Sequence, residues 1–590
     1  MAQHNLFQKK PRLYLDGGMG TMLQKSGMPA GEIPEKYNIE HPEQITAIHK
    51  AFLAAGSDIV YANTFGANRL KCDNVEKLVK AGVKLAKKTG KSVALDLGPT
   101  GKLLKPMGDL DFEECVSIYA QVVNAGKEDA DLILIETMGD TYEIKAAMLA
   151  AKENCDLPIF VSMIFDEKGR LLTGADVKTA LSVVEGLGAD VIGFNCGLGP
   201  EQMIPLVKEL AKYTSTPIMV NPNAGLPESI NGQTVYNVDP DEFARLMTEI
   251  AQIGVCYLGG CCGTTPEHIK ALIESTKNIA AVVPEKKNYT FVTSYSQTVE
   301  LGVKSAVIGE RINPTGKKLL KQALRDNDMD YILREGISQK DCGAHILDVN
   351  VGLPEIDEVE MLSRAVYELQ AVLPTPLQLD SASPEAMEKA LRIYNGKPLI
   401  NSTNGKEKSM KEIFPLAKKY GGVVVCLCLD EGGIPQTAQG RIEIAEKMCY
   451  NRNNHKPACF TLDAADIPDL VPILAVLATF GTHPSEIHGA ARLKIKESDR
   501  LQATADLLNR LGGQVTILED GLRIQPVERL HGGKVDSYGD HRIAMCAAIA
   551  ATRCTAPVVI QGGECIEKSY PQFYEDYNRL GGNAHVIVLE

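Results

Sequence analysis

No stretch of this 590-residue sequence stays apolar long enough to span a bilayer. Its start shows no secretory leader. Basic residues do not dominate: 62 Lys and Arg stand against 75 Asp and Glu, a formal net charge of -13. These absences argue against membrane insertion, and against general binding to nucleic acid or to anionic membranes. Tryptophan is missing altogether, which by itself excludes nothing. Cysteine is plentiful at 15. Without a leader, that number points to a reducing, cytoplasmic setting and to metal or catalytic use. The length implies several domains. The 44% hydrophobic and 23% charged residues are those of an ordinary globular protein.

Three of the cysteines carry the most information. Cys196 closes the apolar run VIGFNC, and the pair Cys261-Cys262 lies in CYLGGCCG. Two adjacent thiols and one distant thiol suit a single zinc ion better than a disulfide network. Zinc takes thiolates in a tetrahedron, and a catalytic site leaves the fourth position open. Gly259, Gly260 and Gly263 give the backbone freedom to bring both side chains inward. The plain alternative is a set of buried structural thiols.

Eight β-rich runs precede residue 264: LYLD, DIVYANTF, SVALDLG, DLILIET, IFVSMIF, VIGFNC, IMVNPNAG and CYLGGCCG. Helical patterns separate them. Strands buried on both faces read as continuous apolar runs, and eight of them alternating with helices imply a parallel (β/α)8 barrel. Chemistry in that fold sits at the C-terminal strand ends. Asp16, Asn63, Asp96, Glu136, Asn195, Cys196, Asn223, Cys261 and Cys262 all fall there.

The motifs LDGGMGT, NTFGAN, LGPTG, GFNCGLGP, NPNAG and GGCCGTTPEHI resemble the homocysteine S-methyltransferase family, and in detail the homocysteine module of cobalamin-dependent methionine synthases. The resemblance covers about residues 10–276, within a domain expected over 1–277. It implies zinc on Cys196, Cys261 and Cys262, with the homocysteine sulfur as fourth ligand. It also implies that Asp16, Gly17, Glu136 and Asn223 hold the amino-acid end of homocysteine. Ordinary hydrogen bonding at the barrel mouth is the alternative for those four.

Residues 278–303 are polar and aperiodic and read as a linker. A second strand-helix series then spans 304–448, with runs AVIGERINPTG, HILDVNVG, LQLDSA, LINSTNG and VVVCLCLDEGG. GERINPTG, LDVNVG and LINSTNG resemble the pterin-binding module that takes methyltetrahydrofolate. The resemblance assigns the pterin to Glu310, Asn313, Asp348, Asn350, Asp380 and Asn401. Carboxylates and amides suit the donor and acceptor edge of such a ring. Only five strands are present where a closed barrel needs eight, so weak or undetectable folate binding is expected.

From about residue 457 to 590 the motifs KESDRL, GDHRIAM and KSYP resemble the C-terminal part of 3-phosphoshikimate 1-carboxyvinyltransferase, an α+β lobe of βαβαββ units. Its substrates, phosphoenolpyruvate and shikimate 3-phosphate, are anionic. Lys496, Arg500, Arg542 and Lys568 match the family's cations, and Asp469 and Glu497 its acid-base carboxylates. If IKESDRL opens a helix, Lys496 and Arg500 share a face. The other lobe of that family is missing, so no enolpyruvyl transfer is expected.

The sequence thus reads as a composite: one whole barrel, a truncated barrel and part of a lobe. No Asp-x-His-x-x-Gly cobalamin motif is found, so methylcobalamin is expected in trans, on a separate cobalamin-binding protein. The expected activity is zinc-dependent methyl transfer to homocysteine giving methionine. The alternatives are a relative using a small methyl donor, enolpyruvyl transfer from the C-terminal segment, and a fusion with no activity.

Overall fold

The computed structural model describes residues 12–29, 31–230, 233–282, 284–452, 461–465, 467–481, 484–579 and 584–585. Among these no helix is long and apolar enough to cross a membrane. The chain divides into two compact units, Met1–Met448 and Cys449–Glu590.

The first unit opens with eight parallel strands: β1 Leu13–Tyr14, β2 Ile59–Tyr61, β3 Ser92–Leu97, β4 Leu132–Met138, β5 Ile159–Met163, β6 Val191–Asn195, β7 Ile218–Asn221 and β8 Tyr257–Leu258. Their order is β1-β8-β7-β6-β5-β4-β3-β2, a nearly closed barrel in which all eight expected strands are present. The seam between β1 and β2 is fastened differently from the rest. Asp58 N–H donates to Tyr14 O at 2.7 Å. The Asp58 carboxylate accepts from Tyr14 N–H at 3.1 Å, and the Asp16 carboxylate from Tyr61 N–H at 2.9 Å.

Alternation along the strands fills the barrel. Leu132 and Leu134 point inward and pack with Leu13, Leu15, Ala94, Phe160, Val191 and Met219. Ile133 and Ile135 point outward and join the large core beneath the helices. The same two-residue period lifts Glu136 to the layer above the apolar plug, and lifts Asp96 above Ala94. The sequence therefore builds a dry floor under a polar mouth.

Residues 278–303 are more than a connector. Thr290–Thr293 pairs antiparallel with Thr298–Leu301, the second of which alternates polar and apolar residues while the first buries Phe291 and Val292 together. This hairpin lies under a second parallel sheet: β9 Ile308–Ile312, β10 Ile346–Val349, β11 Leu377–Asp380, β12 Leu399–Asn404 and β13 Val423–Leu427. The five strands run in sequential order. Val292 packs with Ile346 and Leu399, flanked by Val299, Leu301, Val423 and Val425, and so closes the sheet's lower end. Asp348 and Asn401 stand one inward step above Ile346 and Leu399.

The helix Thr141–Asn154 fastens the two sheets together. Lys145 Nζ donates to Leu391 O and Tyr394 O, each at 2.6 Å. Lys152 Nζ donates to Leu187 O and Lys419 O, each at 2.9 Å. Cations suit helix C-terminal carbonyls. Arg392 adds pairs to Glu113 at 2.5 Å and Glu153 at 2.7 Å.

In the second unit, β14 Thr461–Asp463, β15 Ser485–His488, β16 Gln514–Ile517 and β17 Leu522–Gln525 form a mixed sheet ordered β14-β15-β17-β16. A separate parallel pair joins β18 Gly533–Asp536 to β19 Val558–Gln561.

Candidate functional site

The metal candidates converge. The sulfurs of Cys196, Cys261 and Cys262 all lie within 4.8 Å of one another. The Cys196 and Cys262 sulfurs are 3.8 Å apart. Cys196 leaves β6 in a left-handed turn, φ 56°. The Cys261-Cys262 loop is held from three sides. Cys261 N–H donates to Pro222 O at 2.9 Å, and Gly260 N–H to Asp16 O at 3.0 Å. Cys262 N–H donates to Asn223 Oδ1 at 3.1 Å. Two glycines are required by space. A Cβ on Gly18 would stand 2.7 Å from Cys261 O. Gly263, at φ +83°, would place one 2.5 Å from the Tyr236 ring.

The thiols share protons as a cluster. Hydrogen bonds from Cys196 and then Cys261 hold the Cys262 thiol down at about 3. Hydrogen bonding to Cys196 and Cys262, then burial, pushes Cys261 well above the usual thiol range. Cys196 is pushed up to about 12: its bond with Cys261 works downward, but its bond with Cys262 and burial outweigh that. Three soft donors in this arrangement fit a tetrahedral zinc with one open position. A divalent cation would supply the charge that all three thiolates need at once.

Just below lies a ring of carboxyls. Asp16 and Asp96 are buried, and each keeps one oxygen, Oδ1, without a hydrogen-bond partner. Burial raises both well above the usual carboxylate range. Glu136 is pushed up to about 7 by burial, against a hydrogen bond with Asp96. A cationic group entering from the mouth would meet all three. Gly17 packs under Thr264: a Cβ there would stand 2.7 Å from Thr264 Oγ1.

The sequence reading gave no role to Asp96, Asn195 or Tyr236. The first two carried a signal, being polar residues at strand ends. Tyr236 carried none. It comes from the hairpin Pro227–Ile230 and Gln233–Tyr236, inserted after β7.

The second sheet collects most of the candidate pterin residues. Asn350 Nδ2 donates to Asp380 Oδ2 at 2.9 Å, and Asn401 Nδ2 to Asp348 Oδ1 at 3.4 Å. Gln378, unnoticed in the sequence, also donates to Asp348. Burial first, with Asp380 nearby and against the Gln378 bond, pushes Asp348 up to about 6. Glu310 and Asn313 stand at the edge. Glu310 pairs with Lys317 at 3.7 Å, and Asn313 Oδ1 accepts from Thr315 N–H at 3.0 Å.

In the second unit, Arg500 is buried and surrounded by acids. It pairs with Asp540 at 2.6 Å, Glu497 at 2.6 Å and Asp469 at 2.7 Å. Asp469 also pairs with Arg542 at 3.3 Å and Lys496 at 3.9 Å. Lys568 reaches neighbouring backbone, donating to Gly539 O at 3.5 Å. Lys496 and Arg500 do not share a helix. Asp499 accepts from Leu501 N–H and Gln502 N–H, each at 3.1 Å, and this cap starts the helix at Arg500. Three cations thus face three carboxylates, one of which, Asp540, is the first residue of the DHR motif but was not singled out.

Three family models match this chain, the second and third overlapping at residues 434–455. Residues 13–276 match the family model for homocysteine S-methyltransferase. Residues 309–455 match that for pterin binding enzymes. Residues 434–577 match that for EPSP synthase (3-phosphoshikimate 1-carboxyvinyltransferase). Methionine synthase of Mycobacterium leprae (strain TN) is 30% identical over 476 residues, 73% of this chain and 39% of that protein. Methionine synthase of Mycobacterium tuberculosis (strain ATCC 25618 / H37Rv) is 30% identical over 469 residues, with the same shares. The chain spans about two fifths of the length of these curated relatives. Among solved structures, the oxidized form of the homocysteine methyltransferase MmuM from Escherichia coli aligns with a TM-score of 0.40 at 22% identity, over 46% of this chain and 97% of that one.

Proposed function

Residues 13–276 belong to the homocysteine S-methyltransferase family, and on that premise we propose that this barrel methylates the thiol of homocysteine, giving methionine, with one zinc ion on Cys196, Cys261 and Cys262. The observation that carries the reading is the convergence of three sulfurs within 4.8 Å at the ends of β6 and β8. A zinc ion held there supplies the charge on which a substrate thiol ionises at neutral pH.

The chain's own residues do the rest. Asp16, Asp96 and Glu136 take the substrate's ammonium group in the layer above the apolar floor. The unpartnered Oδ1 atoms of Asp16 and Asp96 then gain a cation. The Asp16-Gly17 turn faces the amino-acid end, and Asn223 fixes the Cys262 loop through the backbone. The floor of Leu132, Leu134 and Phe160 leaves the mouth as the route of entry. In the transfer, the sulfur–carbon bond forms as the donor–carbon bond breaks, and the electron pair stays with the donor.

Methylcobalamin on a separate protein is the donor we assign, with methyltetrahydrofolate as the ultimate methyl source. Asp348, Asn350, Asp380 and Asn401 offer part of a pterin site, with Glu310 and Asn313 at its edge.

The test is methionine formation from homocysteine and methylcobalamin, run beside metal analysis. Wild type is expected to hold about one zinc per chain. Cys261→Ala is expected to lose metal and turnover by ~100-fold or more, since even residues that merely support metal ligands are worth 10–100-fold. Full zinc and full turnover in that variant would sink the assignment.

A further inference from the structure

Asn195 ends β6 with its side chain fully buried. Its amide makes five polar contacts, and together they fix which way it points. Thr137 N–H can only donate, and it stands 2.9 Å from Oδ1. That atom is therefore the oxygen. Ser162 Oγ donates to the same oxygen at 2.7 Å. Nδ2 must then face the opposite way, where three acceptors wait. Thr137 Oγ1 lies at 2.7 Å, Glu136 Oε2 at 3.3 Å and Cys261 Sγ at 3.9 Å.

An amide nitrogen has two hydrogens. One is committed to Thr137 Oγ1, the shortest contact. The other is aimed between a carboxylate and a thiolate. These two acceptors do different jobs in the reading above: Glu136 receives the substrate's amino end, and Cys261 holds the metal. We infer that Asn195 is a positioning residue that couples the two, by sharing one N–H between the ammonium-binding carboxylate and a metal-binding sulfur. The inference rests on the proposed function and deepens it.

The geometry gives the coupling a direction. When the ammonium group of the substrate neutralises Glu136, the carboxylate competes less for the shared hydrogen. The bond to Cys261 then strengthens, and the sulfur's donation to the metal weakens. Amino-end recognition is thereby felt at the metal. A homocysteine analogue without the amino group, 4-mercaptobutanoate, cannot trigger this.

The experiment uses the full chain loaded with cobalt(II), whose thiolate charge-transfer bands report sulfur donation without turnover. Dissociation constants for homocysteine and 4-mercaptobutanoate are read from the same bands. Wild type is expected to favour homocysteine and to show different band positions with the two thiols. In Asn195→Ser the preference is expected to shrink by at least 10-fold, and the two spectra to coincide. Asn195→Asp keeps the size and the Oδ1 acceptor but cannot share an N–H. It is expected to behave like the serine variant, so the test survives if that variant folds poorly. Ser162→Ala loosens Oδ1 and leaves both anions alone, and it should give a partial effect. An unchanged preference and unchanged bands in Asn195→Asp would overturn the coupling while leaving the metal site standing. A wild type with no cobalt–thiolate band would overturn both.

Discussion

The sulfurs of Cys196 and Cys262 stand 3.8 Å apart although 66 residues separate them in the chain. One leaves β6 in a left-handed turn, and the other sits in a loop braced by Asn223 and Pro222. Such a pair is held by scaffold on both sides, so the thiols are in place before any ligand arrives.

Metal uptake should release protons. Before binding, Cys262 is ionised at neutral pH, with its thiol held at about 3, while Cys196 at about 12 and Cys261 well above the usual range are protonated. Binding requires all three as thiolates, so about two protons should leave per metal. Affinity should then fall by about 100-fold for each pH unit lost near neutrality. A weakly buffered titration with zinc, followed by a pH indicator, measures the release. Release of no proton would contradict this thiol pattern.

Methyltetrahydrofolate should bind weakly or not measurably. Asp348, Asn350, Asp380 and Asn401 line the inner side of a sheet of five strands. The donors and acceptors that three further strands would add are not supplied by that sheet. Calorimetric titration should give no affinity in the micromolar range, about -8 kcal/mol. Tight binding would show that another part of the chain completes the site.

Phosphate release from phosphoenolpyruvate with shikimate 3-phosphate should be undetectable. Arg500 is already bound to Asp469, Glu497 and Asp540. These pairs tie Arg500 into the second unit. Asp540→Asn should therefore destabilise that unit by about 3 kcal/mol, as one-sided removal from a buried pair does. Thermal melting of wild type and variant reads the loss. Substantial phosphate release that disappears in Lys568→Ala would restore the enzymatic reading of this segment.

The strand plan of the first unit was legible because its runs are apolar on both faces. Leu132–Met138 is buried almost throughout, and composition alone marks it. The thiol triad was legible because cysteine chemistry is narrow and because a family's motifs carry it. Other features left no local trace. The β1–β2 seam depends on Asp58 meeting Tyr14 across 44 residues. Tyr236 reaches the Cys261-Cys262 loop from a hairpin with no distinctive pattern. Residues 278–303 read as irregular because the hairpin's strands are only four residues long, and one of them, Thr290–Thr293, does not alternate. In KESDRL, a charged run suggested a helix face, but the Asp499 cap decides where the helix begins.

Lys145→Met should loosen the joint between the two sheets. Lys145 is buried, and its nitrogen serves two carbonyls at 2.6 Å each. Methionine keeps the length and leaves both carbonyls unpaired, at a cost of about 2 kcal/mol. Limited proteolysis should then cut faster within residues 278–303 than in wild type. Equal cutting rates would show that the Arg392 pairs with Glu113 and Glu153 suffice.

On the proposed function, Asp16 couples recognition to architecture. One of its oxygens stitches the barrel seam through Tyr61, and the other faces the mouth without a partner. No substitution can retire one duty and spare the other, except one that keeps an acceptor on the seam side. Selection for a new substrate therefore cannot pass freely through this position. The mouth can be re-specified at Asp96 or Glu136, whose strands are paired on both sides by backbone, while Asp16 ties any such change to the closing of the barrel itself.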